Sequence, residues 1–264
     1  MKNLPYSAQS PVVFARRALA GAVLSAMLAA SLPAWAQQAP AAAPAAAGAT
    51  APAPTASGVV PVGDVSAVPA PTIAAKAWIV IDVNSGQTLA ASNPDMKVEP
   101  ASLTKIMTAY VVFNALEEKR LTLEQTVPVS EHAWRTGGSR MFIEPRKPVT
   151  VDELNQGMIV QSGNDASVAL AEAVGGSESA FASLMNQEAE RLGMRNTHFM
   201  NATGLPDPQH MTSTRDLATL SSHLITDHPD FFHYYKQKSY TYNKITQPNR
   251  NRLLWADPSV DGMK

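Results

Sequence analysis

The chain has 264 residues, 45% of them hydrophobic and 16% charged, with a formal net charge of -1. That balance excludes a polyelectrolyte such as nucleic acid as its main partner, and the absence of cysteine excludes a disulfide framework, cysteine-ligated zinc and a catalytic thiol. Any covalent catalysis must therefore use oxygen or nitrogen.

Lys2, Arg16 and Arg17 precede an apolar run from Ala18 to Leu32 that ends in Pro33 and the small-x-small triplet Ala34-Trp35-Ala36. This is the pattern of a secretory signal peptide over residues 1–36, and about 15 apolar residues are too few to span a bilayer that needs roughly 20. The mature chain is expected to begin at Gln37 and to work outside the cytoplasm, in the periplasm. Ala39 to Gly58 hold 11 Ala and 4 Pro in 20 positions without a charge or an aromatic ring. Such a composition cannot offset the entropy of ordering, so residues 37–71 read as a linker between the leader and a folded domain over 72–264.

The domain opens with a hairpin: Ala77 to Asp82 is rich in β-branched and aromatic residues, Asn84-Ser85-Gly86 supplies a turn, and Gln87 to Ala91 returns. From Ser102, the residues Leu103, Ile106, Met107, Tyr110 and Phe113 recur at helical spacing as far as Glu117. A second helix fits Asp165 to Val174, stopped by Gly175-Gly176, and a third runs from Ser177 to Gly193. Ser213 and Asp216 resemble a capping box ahead of the apolar stripe Leu217, Leu220, Leu224 and Ile225. Tyr240-Thr241-Tyr242 and Leu253-Leu254-Trp255 read as short strands. Strands at both ends with helices between them predict an α+β domain whose sheet collects the two ends.

Two short motifs carry chemistry. Ser102 and Lys105 are i and i+3 neighbours on one helix face, where a lysine can take the serine proton if burial or nearby cations lower its pKa. With 21 Ser and 10 Lys in the chain, about one Ser-x-x-Lys arises by chance, so the spacing alone decides little. Ser162-Gly163-Asn164 sits between the apolar Met158-Ile159-Val160 and the helix near Asp165, and taken alone it is also compatible with an ordinary capping turn. Ser-x-x-Lys, then Ser-Asp-Asn, then Lys-Thr-Gly is the order of motifs in penicillin-binding proteins and class A β-lactamases; here the first two occur in order, about 60 residues apart, with Ser-Gly-Asn in the middle place.

Pro100-Ala101-Ser102-Leu103-Thr104-Lys105, Gln161-Ser162-Gly163-Asn164-Asp165, Asn201-Ala202-Thr203-Gly204-Leu205 and Asp261-Gly262-Met263-Lys264 together resemble the D-alanyl-D-alanine carboxypeptidases, the low-molecular-mass penicillin-binding proteins. Gly137 to Phe142 and Asn249 to Trp255 are similar to further stretches of that family, so the likeness runs from about Lys76 to Lys264. The resemblance implies a β-lactamase/transpeptidase-like domain whose antiparallel sheet carries helices on its faces, and which removes the terminal D-alanine from peptidoglycan pentapeptides and is acylated by β-lactams, without cofactor or metal. It implies Ser102 as nucleophile, Lys105 as general base and Ser162 as a proton relay to the leaving amine. Asn164 would hold Lys105 and the substrate amide, and Lys264 would attract the terminal carboxylate.

Family members continue after this lysine with Thr or Ser and Gly, further strands and a C-terminal amphipathic membrane helix. The chain is thus expected to be a C-terminally truncated form, poorly stable and impaired in activity, with half of its oxyanion hole missing. Membrane association is expected only through that helix. Three rivals stay open: a β-lactamase of the same fold, a D,D-endopeptidase, and a non-hydrolytic peptidoglycan-binding or β-lactam-sensing module.

The remaining candidates read as structural. His223, His228 and His233, five residues apart, diverge on a helix and cannot share a metal. His198 and His210 read as satisfied polar residues around the Asn201-to-Met211 loop, Arg215 and Asp216 as helix-cap residues, and the methionines as core packing.

Overall fold

The computed structural model describes residues 71–264. The leader with its cleavage before Gln37, and all but the last residue of the proposed linker, lie outside the described residues.

The domain opens with β1 (Trp78–Ile81) and β2 (Thr88–Ser92), paired antiparallel from Trp78 opposite Ser92 to Ile81 opposite Thr88, with an irregularity between Val80 and Ile81. The Asp82 carboxylate accepts from the Ser85 backbone N–H and hydroxyl, and Gly86 takes a left-handed φ of 70° to close the turn. A 3-10 turn over Ala101–Leu103 leads into α1 (Thr104–Glu117). This helix has hardly an apolar side, because nearly every residue from Thr104 to Ala115 is buried; helices over Val151–Gln161, Asn164–Gly175, Glu178–Arg191 and Thr214–Asp227 pack around it.

The short ladder of β3 (Thr126–Val127) and β4 (Val149–Thr150) flanks α2 (Glu131–Arg135) in sequence, and α2 is capped by Ser130. Helix α3 (Val151–Gln161) starts at a full capping box between Thr150 and Glu153 and buries Val151, Leu154 and Met158. The sequence reading missed it. Gly157 and the β-branched Ile159-Val160 weaken its helical signal, yet a Cβ at Gly157 would lie 2.3 Å from the Met141 sulfur, so the glycine is there for packing.

Helices α4 (Asn164–Gly175) and α5 (Glu178–Arg191) follow, joined through Gly176 in the left-handed region and capped at Ser177. The expected positions of both hold to within a residue or two at each end. Helix α6 (Thr214–Asp227) takes its cap from Ser213, which accepts from the Asp216 N–H. The expected reciprocal half of that box is absent: the Asp216 carboxylate accepts from Asn196 N–H and the Thr197 hydroxyl, and Arg215 forms a bidentate pair with Asp95 instead of serving the cap.

After α7 (His233–Lys236), the strands β5 (Ser239–Tyr242) and β6 (Ile245–Pro248) form a hairpin with Asn243 and Lys244 both at positive φ, a two-residue turn suited to strand twist. Tyr240 to Tyr242 is a strand as expected, but Leu253–Ala256 is one turn of helix, α8, not a strand. Only Leu254 of that segment is buried, and no neighbouring strand offers it a ladder.

The α+β class holds, but among the described residues the strands form three separate two-stranded ladders in place of one sheet collecting both ends. Residues 257–264 form no strand or helix. Within them Asp261 pairs with Lys236, Gly262 lies against Phe232 and Tyr235, and Met263 and Lys264 help line an apolar groove with Trp78, Leu103, Ile106 and Leu217. Met107, Met141, Met158, Met185 and Met194 are all buried in the core, as their spacing predicts. Among the described residues no helix is long and apolar enough to cross a membrane.

Candidate active site

Ser102 is exposed in the 3-10 turn, and Lys105 is the second residue of α1. The turn is tight because Ala101 sits at a φ of 48°, in the left-handed region. Gly204 lies against it: a Cβ there would come within 1.8 Å of the Ala101 carbonyl oxygen, and the glycine φ is +83°. Only glycine fits this approach.

Lys105 is 1% exposed, and its ammonium donates to Asn164 Oδ1 at 2.7 Å and to the Thr203 carbonyl at 2.6 Å. Both partners are neutral. Burial first, and then the guanidinium of Arg250, push its pKa down from 10.5 to about 8, against the opposing pull of Asp165. Asp165 forms no ion pair with the lysine, because its buried carboxylate accepts from the N–H groups of Met141, Phe142, Ile143 and Ala166. That network fixes the 139–143 segment onto the start of α4.

Asn164 is the first residue of α4. Its amide nitrogen donates to the Gly137 carbonyl at 2.7 Å, which leaves Oδ1 facing the lysine. Its own backbone N–H donates to the Ser139 carbonyl at 2.7 Å, a bond that ties the start of α4 to the Gly137–Ser139 stretch.

Ser162 is the C-cap of α3, at a φ of 64°. It is 3% exposed, and among the described residues its hydroxyl has no hydrogen-bond partner. Among the described residues, no hydrogen bond links Lys105 to Ser102 or Ser162.

Lys264 is half-buried, and its ammonium donates to the carbonyls of Met158 at 2.9 Å and Ile159 at 3.5 Å, in the last turn of α3. The carbonyls of a helix C-terminus favour a cation. Burial, then the charges of Lys105 and Arg250, hold its pKa well below the ordinary lysine value. Arg250 reaches the same helix end, donating to the Gln161 carbonyl at 3.2 Å and to the Ser139 hydroxyl at 2.8 Å. Three cations thus converge on the end of α3 and the start of α1.

The structure therefore joins Lys105 directly to Asn164, sets Lys264 near enough to feel the Lys105 charge, and places Ser102 one turn before the lysine. The sequence reading assigned no role to the Thr203 carbonyl, the Gly137 carbonyl, Asp165 or Arg250. A backbone acceptor has no side-chain signature, and Arg250 comes from far along the chain. The histidines go separate ways: His223 pairs with Asp227, His228 with Glu117, and His233 with the Asp230 carbonyl.

A family model described as D-alanyl-D-alanine carboxypeptidase matches residues 64–264. The chain belongs to the D-alanyl-D-alanine carboxypeptidase family. It is 48% identical over 204 residues to the D-alanyl-D-alanine carboxypeptidase DacC of Escherichia coli K12, covering 75% of this chain and 51% of the relative. The fold matches penicillin-binding protein 5 of Haemophilus influenzae with a TM-score of 0.73 at 44% identity, over 75% of this chain and 58% of that one. It also matches penicillin-binding protein D2 of Listeria monocytogenes in its ampicillin-bound form, with a TM-score of 0.66 at 30% identity, over 74% of this chain and 80% of that one. The chain spans about half the length of the curated relatives it matches.

Proposed function

We propose that this domain belongs to a serine-type D-Ala-D-Ala carboxypeptidase that trims peptidoglycan pentapeptides and is acylated by β-lactams. The observation that carries the reading is Lys105, buried one turn from an exposed serine, with neutral acceptors on its ammonium and a pKa near 8. At pH 7 about a tenth of such a lysine is unprotonated, against about 0.03% at its ordinary value, a gain of roughly 300-fold in available base.

In this reading Ser102 Oγ attacks the carbonyl between the two terminal D-alanines as its proton passes to Lys105 Nζ. The bond to the leaving D-alanine breaks, its amine takes a proton through Ser162 Oγ, and an ester on Ser102 remains. Water then hydrolyses the ester. Asn164 keeps Lys105 oriented, and Lys264, beside Arg250, supplies positive charge for the terminal carboxylate. The Ser102 backbone N–H serves as one donor to the oxyanion.

The full-length protein is expected to release D-alanine from a diacyl-Lys-D-Ala-D-Ala peptide, and Ser102→Ala to release none. Release by the alanine variant at the wild-type rate would move the nucleophile elsewhere. The Ala18-to-Ala36 pattern supports export to the periplasm, so the exported protein should begin at Gln37. A mature N-terminus upstream of Arg17 would contradict this.

A further inference from the structure

His210 is 2% exposed and lies outside every motif assigned above. Its Nδ1 accepts from the Met200 backbone N–H at 3.0 Å, so that nitrogen carries no proton and the ring is the neutral Nε2–H tautomer. Nε2 therefore donates to the hydroxyl of Thr104 at 2.7 Å. Thr104 is 0% exposed and stands between Ser102 and Lys105 in the sequence, as the first residue of α1.

This contact is one of a series joining the Ser102 turn and α1 to the 198–212 segment. Lys105 Nζ donates to the Thr203 carbonyl and the Thr108 hydroxyl to the Ala202 carbonyl, while Gly204 abuts Ala101. Paired backbone bonds between Val98 and Thr212 tie the strand-like limb after His210 to the residues just before Ser102. Of the hydrogen bonds in this clamp that reach the Thr104–Thr108 turn, the one from His210 is made by a side chain of the 198–212 segment; the others end on its backbone carbonyls.

We propose that His210 is a positioning residue for the Ser102–Lys105 turn, acting through the Thr104 hydroxyl. The inference rests on the reading of Ser102 as nucleophile and Lys105 as its base. A neutral imidazole braced at Nδ1 aims one donor at Thr104 and fixes the rotation of the first turn of α1, and with it the direction of both reacting side chains. Burial favours that neutral form by pulling the His210 pKa down; Asp207 opposes this and His198 reinforces it. Protonation at Nδ1 would set two N–H groups against each other at Met200.

The test uses the full-length protein and the rate of acylation by a fluorescent penicillin. His210→Gln places an amide donor where Nε2 stands, and His210→Asn places polar atoms only near Nδ1. Acylation is expected to stay within about threefold of wild type for His210→Gln and to fall at least about tenfold for His210→Asn and for Thr104→Val. The double variant Thr104→Val with His210→Asn should be no slower than the slower single, because both remove one interaction. The alkaline inflection of the acylation profile should also move in the Asn and Val variants, since Lys105 loses its fixed place at Thr203, whereas a purely structural loss would lower the melting temperature and leave the inflection in place.

Equal rates for His210→Asn and wild type, or single effects that multiply in the double variant, would overturn the proposal. If Thr104→Val does not fold, the Asn and Gln pair decides alone. If neither His210 variant folds, nitrogen NMR of the wild-type ring decides: an unprotonated Nδ1 supports the proposal, and a protonated Nδ1 overturns it. Failure of the wild type itself to label at Ser102 is a separate result, which removes the underlying reading and this inference with it.

Discussion

Replacing Arg250 by glutamine tests how the lysine is tuned. Arg250 is exposed, but it is the second cause, after burial, of the depressed Lys105 pKa, and it keeps its place through the Gln161 carbonyl and the Ser139 hydroxyl. Removing its charge leaves burial intact, so the lysine should recover part of the way from about 8 toward 10.5. A recovery of about one pKa unit would cut the unprotonated fraction at pH 7 from about a tenth to about a hundredth, and acylation by a fluorescent penicillin about tenfold.

The direction of that change is fixed. A lysine whose pKa rises needs a higher pH to act as a base, so the profile must move to the alkaline side while the rate at its plateau stays within a few-fold. Because Arg250 is exposed, salt should screen its effect: raising the ionic strength should shift the wild-type inflection upward and move the variant's less. Arg250→Lys should keep most of the charge effect while losing the forked contact. A glutamine profile that superimposes on wild type, or moves to the acid side, would refute the electrostatic account.

Two further outcomes test the packing that supports the site. Gly204→Ala would force a Cβ to within 1.8 Å of the Ala101 carbonyl oxygen at a φ of +83°, so it should cost about 3 kcal/mol or more in a denaturant melt and slow acylation as well. A normal melt with normal labelling would show that the Ser102 turn does not depend on this approach. Leu154→Ala, in the fully buried face of α3, should cost roughly 2–5 kcal/mol without changing the penicillin-labelled residue; a loss under about 1 kcal/mol would contradict the core described for α3.

What could be read in the sequence was whatever a side chain announces locally. Ser177 and Ser213 mark helix starts, Gly176 a helix stop, and the spacing of Leu103, Ile106, Met107, Tyr110 and Phe113 the buried helix α1. Helix α3 is hard to read in the sequence because Gly157 and Ile159-Val160 argue locally against it, although Thr150 and Glu153 hold capping-box spacing. The turn at Asn243-Lys244 lacks the glycine that usually signals a tight hairpin, and Leu253-Leu254-Trp255 has the composition of a strand but no partner to pair with. At the site, Ser102, Lys105, Ser162, Asn164 and Lys264 were legible as motif residues. The Thr203 carbonyl, the Gly137 carbonyl and the approach of Arg250 depend on tertiary contacts between segments far apart in the chain, so no local pattern announces them.

Mass-spectrometric mapping of the full-length protein after brief exposure to penicillin reads directly whether Ser102 carries the acyl group. One adduct of penicillin mass is expected on the peptide containing Ser102, absent from Ser102→Ala and formed slowly in Lys105→Arg, whose guanidinium cannot accept a proton. An adduct on the peptide containing Ser162, or one that persists in Ser102→Ala, would contradict it.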